Sequence, residues 1–352
     1  MRLLNRYISK QVFLSISLVL LIFIGVYTVF SFVGEMRNFN KNYGFLASIL
    51  NVLYSIPQNL IFMLPVASLL GTLIALGNLA SHSELTAMRA GGFSILRIAF
   101  SVLRIGAIIA LISFFFAAFI GPYVGKQALL SNFGGGRRAS ILFTPQATWL
   151  KEGSDFVYVT QSKGVDYLEG LVRYHLEDGN LTSITWANTA IYKEGSWHLS
   201  GLREVDISTT GVTQRESKTA TWSELVPPSL LKAVSSRVSN LNLIELYRYL
   251  KYRHLNGLDA RSYELKIWQL YAQPFSILIL MLIAVPFSFG QLRSSSLGVR
   301  LVIGVVIGVA YFLLDRFFGP AVLVMNLPIF LGAFLPSFIF LGLCGLFFWR
   351  FL

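Results

Sequence analysis

The chain has 352 residues, of which 55% are hydrophobic and only 13% are charged, and its mean hydropathy is +0.63. This composition excludes an ordinary soluble enzyme and predicts a polytopic membrane protein. The formal net charge of +12 does not indicate nucleic-acid binding, because nine basic residues lie in short segments on one side of the predicted spans, with Glu84 as the single acid there. The nine are Arg2, Arg6, Lys10, Arg89, Arg97, Arg104, Arg293, Arg300 and Arg350.

Long uncharged stretches predict six membrane-spanning helices. The first, Gln11–Gly34, has 24 uncharged residues, enough to cross a hydrocarbon layer of ~30 Å at ~1.5 Å per residue. An even number of spans places both termini on one side, which the positive-inside bias identifies as the cytoplasm. The six predicted spans are Gln11–Gly34, about Pro57–Ala80, Ile105–Gly125, Ile267–Leu292, Leu301–Leu314 with an outer turn that holds Asp315 and Arg316, and the last part of Phe317–Trp349.

Prolines predict how the outer segments are divided. Pro57 and Pro65 indicate that a separate helix over Tyr43–Ser55 lies at the outer interface before the second span. The pair Gly319-Pro320 together with Pro328 predicts a tight outer hairpin between the last two spans.

A polar stretch at about 81–92 separates the second and third spans. Ser81 and Glu84 have the spacing of a capping box, and Gly91-Gly92 is a typical helix stop. The pattern predicts a short cytoplasmic helix that either contacts a motor protein or is an ordinary connection. Its apolar side holds Leu85 and Met88, and its polar side holds Glu84 and Arg89.

The segment Lys126–Lys266 differs in character, with 17 basic and 14 acidic residues. Short runs of β-branched and aromatic residues, separated by turn signals at 151–154, 177–180 and 193–196, predict an exported jelly roll or sandwich. The predicted strands are Thr148–Lys151, Phe156–Gln161, Leu171–Leu176, Ser183–Tyr192 and Trp197–Val205, and the residues expected in the core include Trp149, Phe156, Tyr158 and Trp186. A helix over Leu241–Tyr252 precedes the return to the membrane.

The fold class is therefore a membrane α-helical protein of six transmembrane helices with an inserted all-β domain. The predicted divisions are residues 1–125 with spans one to three, residues 126–262 with the β domain and its flanks, and residues 263–352 with spans four to six.

Catalytic and metal-binding motifs are absent from the sequence. The nearest approach to a phosphate-binding loop, at 121–127, has three residues between its glycines instead of four and no hydroxyl after the lysine. The four histidines and Cys344 are scattered without ligand spacing. The chain is therefore predicted not to be an enzyme and to hold no cofactor or metal, and energy for transport would come from a separate ATPase.

Seven short motifs are distributed over essentially the whole chain. They are Arg6-Tyr-Ile-x-Lys10, Ser83-Glu-Leu-x-x-Met-x-Ala-x-Gly92, Trp149-x-Lys-x-Gly153, Phe156-Val-Tyr158, Gln273-Pro-x-Ser276, Arg293-x-x-x-x-Gly-Val-Arg300 and Leu314-Asp-x-x-Phe-Gly-Pro320. These motifs resemble the lipopolysaccharide export permeases of the LptF/LptG family, and the LptG branch more than the LptF branch.

The resemblance implies a permease subunit of an ABC transporter in the inner membrane of a Gram-negative bacterium. It would extract lipopolysaccharide from that membrane and pass it to a periplasmic bridge of jelly-roll domains. The implied partners are an LptF-type permease, an LptB-type ATPase dimer that binds ATP-Mg, and an LptC-type membrane-anchored jelly roll.

The resemblance also implies roles for individual residues. ATPase coupling would involve Glu84, with Ser81, Leu85, Met88 and Arg89. Substrate binding would involve Phe23, Tyr27 and Phe30 on one face of the first span, Arg37 and Lys41 just outside it, and Arg316 near the outer end of the fifth. Packing, capping or interfacial anchoring would equally account for each of these side chains.

Three alternatives stay open at this point. The chain could be the LptF-type paralogue, another ABC permease with an exported domain, or a non-transport scaffold that presents a β domain.

Overall fold

The computed structural model describes residues 2–37, 45–125, 148–162, 166–208, 211–222, 241–289 and 296–351. Within these ranges, six helices are long and apolar enough to cross a membrane, as the sequence predicts. The helices are α1 (Arg2–Met36), α2 (Phe45–Ser81), α3 (Glu84–Ala90), α4 (Ile95–Phe115, continued by a π-helical turn over Phe116–Ile120), α5 (Leu243–Leu255), α6 (Arg261–Phe289), α7 (Leu297–Val324) and α8 (Ile329–Phe351). They fall into a helical unit with α1–α4 and α6–α8, and a β unit that contains α5.

The prediction of a separate interfacial helix over Tyr43–Ser55 is wrong, because α2 is one continuous helix that contains both Pro57 and Pro65. Proline at position 65 lacks the N–H that would bond the carbonyl of Ile61. The side chain of Gln273 in α6 supplies the missing donor, with its Nε2 2.9 Å from the Ile61 oxygen. Since this carbonyl is satisfied, the helix passes the proline inside the bilayer without an unpaired group.

The predicted hairpin between the last two spans is present next to Pro328 but not at Gly319-Pro320. Helix α7 continues through this pair, and the chain turns at Asn326, whose φ is 53°. The guanidinium group of Arg261 donates to the carbonyls of Val322 (3.3 Å) and Leu327 (3.0 Å), which lie on either side of the turn. A basic side chain from the start of α6 therefore binds the free carbonyls at the end of α7.

Helix α2 is the central element of the helical unit and contacts α1, α6 and α7. Small residues permit two of these contacts. A Cβ at Gly308 of α7 would lie 2.6 Å from Cγ1 of Val66, and a Cβ at Gly71 would lie 2.5 Å from the Cα of Ile16 in α1. Gly304 and Gly308 form a GxxxG pair, which allows close approach of helices in membranes.

The β unit contains a six-stranded antiparallel sheet in which every strand pairs with its neighbours in the chain. Its open meander is consistent with a jelly roll. The strands are β1 (Thr148–Glu152), β2 (Asp155–Ser162), β3 (Tyr167–Glu177), β4 (Asn180–Lys193), β5 (Ser196–Ser208) and β6 (Gly211–Trp222).

The turn residues of the sheet follow the sequence signals. Gly153, Gly179 and Gly195 have φ values of 57°, 82° and 85°, so each occupies the left-handed region that two-residue hairpin loops require. The three predicted turns are thus confirmed. Strand β6 was not predicted, because its side chains are almost all polar and exposed.

Buried side chains lie on both faces of the sheet: the register puts Val159, Leu171, Ala187 and Leu202 on one face and Leu168, Ala190 and Leu199 on the other. The buried side chains include Val157, Leu171, Trp197 and others. The expectation that Trp149 and Trp186 fill the core is wrong, because they are 58% and 37% exposed. Alternation along each strand places them on the opposite face from Val157. The full set of buried apolar residues in the sheet is Leu150, Val157, Val159, Leu168, Leu171, Ala187, Ala190, Trp197, Leu199 and Leu202.

Helix α5 matches the predicted helix over Leu241–Tyr252 and begins with a capping box between Asn242 and Glu245. Near its C-terminal end, the hydroxyl of Tyr252 donates to the carbonyl of Lys151 over 2.7 Å, which joins the helix to β1. Burial raises the pKa of Tyr252 to about 12.

Candidate functional site

Helix α3 has one face packed against the helical unit and one face in solvent. Leu85 is 2% exposed and belongs to the same core cluster as Phe93 and residues of α1, α2, α4 and α6, and Met88 packs against that cluster. Glu84 is half-exposed and forms no hydrogen bond or ion pair with any other described residue. Arg89 is exposed, with its guanidinium carbon 5.7 Å from the centre of the Phe289 ring.

The predicted capping box of α3 is wrong. The Oγ of Ser81 donates to the carbonyl of Asn78 in the preceding helix, and the N-cap is Ser83, which has a φ of 62° and no side-chain cap. The predicted glycine stop is correct: Gly92 has a φ of 82°, and the N–H of Phe93 donates to the carbonyl of Met88. This is a Schellman motif. Glu84 therefore has no capping role that would occupy its carboxylate.

Of the three aromatic side chains predicted to share one face of α1, two contact α2 and one is exposed. Phe23 packs against a small cluster that includes Ala67 and Leu70 of α2. The hydroxyl of Tyr27 donates to Ser55 (3.1 Å) and accepts from Asn59 (2.7 Å), both in α2.

Phe30 is 74% exposed, so one of the three aromatic residues predicted to bind substrate faces outward in the isolated chain. A further contact joins α1 to α2 near the same end, because Nδ2 of Asn51 donates to Oε1 of Glu35 over 2.6 Å. Arg37 follows α1 and is exposed, and Lys41 lies outside the described residues.

Arg316, in the C-terminal half of α7, contacts two aromatic rings. Its guanidinium carbon lies 5.1 Å from the centre of the Phe62 ring in α2 and 5.2 Å from that of Phe312. Such cation–π contacts orient a guanidinium group without neutralising its charge. The side chain is exposed, so its donors remain accessible.

Two side chains with structural roles in this region were not assigned from the sequence. Gln273 satisfies the carbonyl left free by Pro65, and Arg300 is 2% exposed in contact with α2. A Cβ at Gly77 would lie 2.6 Å from Nη1 of Arg300, so the arginine packs on a glycine. The signal for Gln273 is the proline within α2, which requires a donor from another helix.

A row of aromatic rings crosses β1 to β4 on one side of the sheet. Trp149 pairs with Tyr158 across β1 and β2, and its ring centre lies 5.0 Å from that of Tyr158 and 5.7 Å from that of Tyr174. Tyr158 pairs with Val172, which in turn pairs with Trp186. Trp149 and Trp186 are the exposed members of this aromatic row.

Comparison with known proteins decides the family. The family model described as lipopolysaccharide export system permease LptF/LptG matches residues 6–350. The chain belongs to this family. The lipopolysaccharide export system permease protein LptG of Escherichia coli K12 is 33% identical over 343 residues, which cover 95% of this chain and 94% of that protein. LptG of Haemophilus influenzae Rd is 32% identical over 348 residues, or 96% of each chain.

These relatives confirm the resemblance to the LptG branch. They make the chain an LptG-family permease of the lipopolysaccharide export system, with multi-pass membrane topology. The roles of the individual side chains described above stay predictions.

Proposed function

We propose that this chain is the permease subunit that extracts lipopolysaccharide from the inner membrane and passes it to a periplasmic bridge of jelly-roll domains. Full-length membership of the LptF/LptG family is the observation that carries the proposal. In this arrangement both termini and α3 are cytoplasmic and the β unit is periplasmic, which the distribution of basic residues supports. The partners would be an LptF-type permease, an LptB-type ATPase dimer and an LptC-type jelly roll.

Helix α3 would be the point where the ATPase acts. Leu85 and Met88 pack α3 against the membrane-spanning helices. A force on the solvent-exposed face of α3 would therefore be transmitted to those helices. Glu84 has no partner among the described side chains and is available to a basic residue of the ATPase. The ATPase would supply ATP-Mg hydrolysis.

The outer parts of α1 and α7 would contact the substrate. These are the two least buried of the six apolar helices in the described chain, and both rest on α2. Phe30 offers an apolar surface for acyl chains, and Arg37 and Arg316 would meet the anionic phosphates. Lys41 would extend this group of cations.

The β unit would take up acyl chains along the aromatic row that holds Trp149 and Trp186. These two side chains are exposed enough to contact a ligand, whereas Val157, Val159 and Leu171 on the opposite side of the sheet are buried.

Site-specific photocrosslinking in the assembled transporter tests the substrate proposal. A photoreactive residue at Phe30 should capture lipopolysaccharide in an ATP-dependent manner. The matched control is Leu341 of α8, which is also exposed, at 45%, but lies on another helix. Equal capture at both positions would mean that α1 has no special contact with substrate.

The coupling proposal is tested by Glu84→Arg. We expect loss of lipopolysaccharide export and loss of the ATPase on co-purification, because the reversed charge would repel a basic partner. The control is Thr86→Arg, which introduces the same side chain at an exposed position of the same helix. If Glu84→Arg left both export and ATPase association intact, Glu84 would not be a coupling residue. If no ATPase co-purified with the wild-type protein, the result would favour a non-transport scaffold over a permease.

A further inference from the structure

A cavity of about 580 Å³ lies between the first turns of α1 and the middle of α4. This volume is within the range of roughly 300–1,000 Å³ that is typical of ligand pockets. Its α1 side lies against the first turns of α4, which directly follows α3 in the chain, because Asn5 and Ser9 form hydrogen bonds with Ser101. The six lining residues are Asn5, Arg6, Ser9, Arg104, Ile105 and Ile108.

The polar lining of the cavity includes two cationic hydrogen-bond donors, Arg6 and Arg104. Arg6 and Arg104 are exposed, and neither forms an ion pair within the described ranges of the chain. Oδ1 of Asn5 accepts from the hydroxyl of Ser101 over 3.1 Å, which leaves the amide N–H groups of Asn5 as donors. The hydroxyl of Ser9 is directed to the carbonyl of Ser101, 3.0 Å away. With no carboxylate among its residues, this lining is suited to an anion.

The α4 side of the cavity also holds the apolar Ile105 and Ile108, and an apolar surface continues from there along α4. Ile108 is 52% exposed, and Leu111, Ile112 and Phe115 follow at helical spacing with exposures of 58%, 55% and 52%. An apolar chain that left the cavity could therefore lie along α4.

The depth of the cavity matches the boundary between headgroups and hydrocarbon. In α1 the basic Arg6 and Lys10 are followed by the uncharged stretch that begins at Gln11. In α4 the uncharged stretch begins at Ile105, directly after Arg104. Both cationic side chains thus lie where a phospholipid phosphate would lie.

We propose that this cavity binds an anionic phospholipid such as phosphatidylglycerol, with its phosphate between Arg6 and Arg104 and one acyl chain along Ile108, Leu111 and Phe115. An inorganic phosphate ion would use the cations but not the apolar surface. The site is separate from the outer ends of α1 and α7, which the proposed export function assigns to lipopolysaccharide. Its failure would therefore leave that function untouched.

Native mass spectrometry of the full transporter complex, titrated with phosphatidylglycerol, tests the proposal. Arg6→Gln and Arg104→Gln should each weaken the tightest phosphatidylglycerol binding about tenfold, because each removes charge-assisted hydrogen bonds to the phosphate. The matched control is Lys10→Gln, which removes one exposed neighbouring charge that does not line the cavity and should leave binding unchanged. Because Arg6 and Arg104 are exposed, thermal unfolding should show that both variants remain folded.

Two further measurements distinguish the sources of the anion. Millimolar inorganic phosphate should not displace the bound lipid, and a photoreactive residue at Ile108 should capture phosphatidylglycerol. The proposal is overturned if Lys10→Gln weakens binding as much as Arg104→Gln, if inorganic phosphate alone occupies the site, or if the probe at Ile108 captures an acidic partner protein in place of lipid.

Discussion

The hydrogen bond from Gln273 to the carbonyl of Ile61 gives a prediction whose size follows from the structure. Pro65 cannot donate to this carbonyl, and the amide of Gln273 does so over 2.9 Å. In Gln273→Leu the carbonyl would lose its partner where water is scarce, and such interhelical bonds are worth ~0.6–2 kcal/mol in membrane proteins. We expect a loss of stability of about 1–2 kcal/mol, measured by SDS-induced unfolding of the purified protein in mixed micelles.

A double-mutant cycle separates this hydrogen bond from simple packing. Pro65→Ala restores an N–H that can reach the Ile61 carbonyl within α2. Gln273→Leu should therefore cost much less in the Pro65→Ala background than in the wild type. If Gln273→Leu costs the same in both backgrounds, the bond does not compensate for the proline and the reasoning is refuted.

Three further predictions concern packing and pH. Gly308→Ala should lower the unfolding temperature, because the new Cβ would lie 2.6 Å from the side chain of Val66. Gly342→Ala in α8 is the control and should have little effect, since a Cβ there would have no atom within 4 Å. Equal effects of the two substitutions would contradict the close α2–α7 contact. Leu85→Ala removes a buried side chain, so it should lower the free energy of unfolding by about 2–5 kcal/mol and speed amide hydrogen exchange in α3. Thr86→Ala, at an exposed position of the same helix, should do neither. Unchanged exchange in Leu85→Ala would mean that this side chain does not anchor α3. Burial raises the pKa of Tyr252 from 10.0 to about 12, so its contribution to stability is fully present below pH 10 and is lost between pH 10 and 12. Proteolysis of the β unit should therefore increase over that pH range in the wild type and much less in Tyr252→Phe. An identical pH dependence in the two proteins would exclude Tyr252 as the cause.

The sequence was sufficient to predict the elements that depend on composition and local turns. Uncharged stretches identified the six apolar helices, and the Gly-containing turns identified five of the six strands. Strand β6 carries the polar run Thr213–Thr219, and its pairing with β5 cannot be read from an apolar pattern. Its formation depends on the neighbouring strand.

The errors in the helical unit come from contacts between distant residues. Pro65 reads as a helix breaker until Gln273, 208 positions later, is known to satisfy the freed carbonyl. Gly319-Pro320 reads as a turn, yet the turn lies beyond it, where Arg261 binds the end of α7. The capping box at Ser81 has the right spacing, but the preceding helix extends to Ser81 and uses its hydroxyl.

The candidate site was predicted only in part for the same reason. Helical spacing correctly put Leu85 and Met88 on the packed side of α3. Spacing also grouped Tyr27 with Phe30, but it could not show that Ser55 and Asn59 of α2 bind the hydroxyl of Tyr27. A polar partner on a neighbouring helix decides whether an intramembrane tyrosine holds two helices together or meets a ligand.

These contacts make α2 the element through which α3 and the outer face would communicate. Helix α3 follows α2 directly, and α2 alone among the described helices makes extensive contacts with α1, α6 and α7. The half of α2 farther from α3 binds Tyr27 through Asn59 and places Phe62 against Arg316, and Pro65 lies between these residues and α3. A displacement of α3 would therefore be transmitted through α2 to α1 and α7, the two helices proposed to face the substrate. Helix α2 can bend at Pro65, and the hydrogen bond from Gln273 joins it to α6 at this point. If this is the route, Gln273→Leu should reduce lipopolysaccharide export per ATP hydrolysed while leaving ATPase binding intact, whereas Glu84→Arg should abolish both.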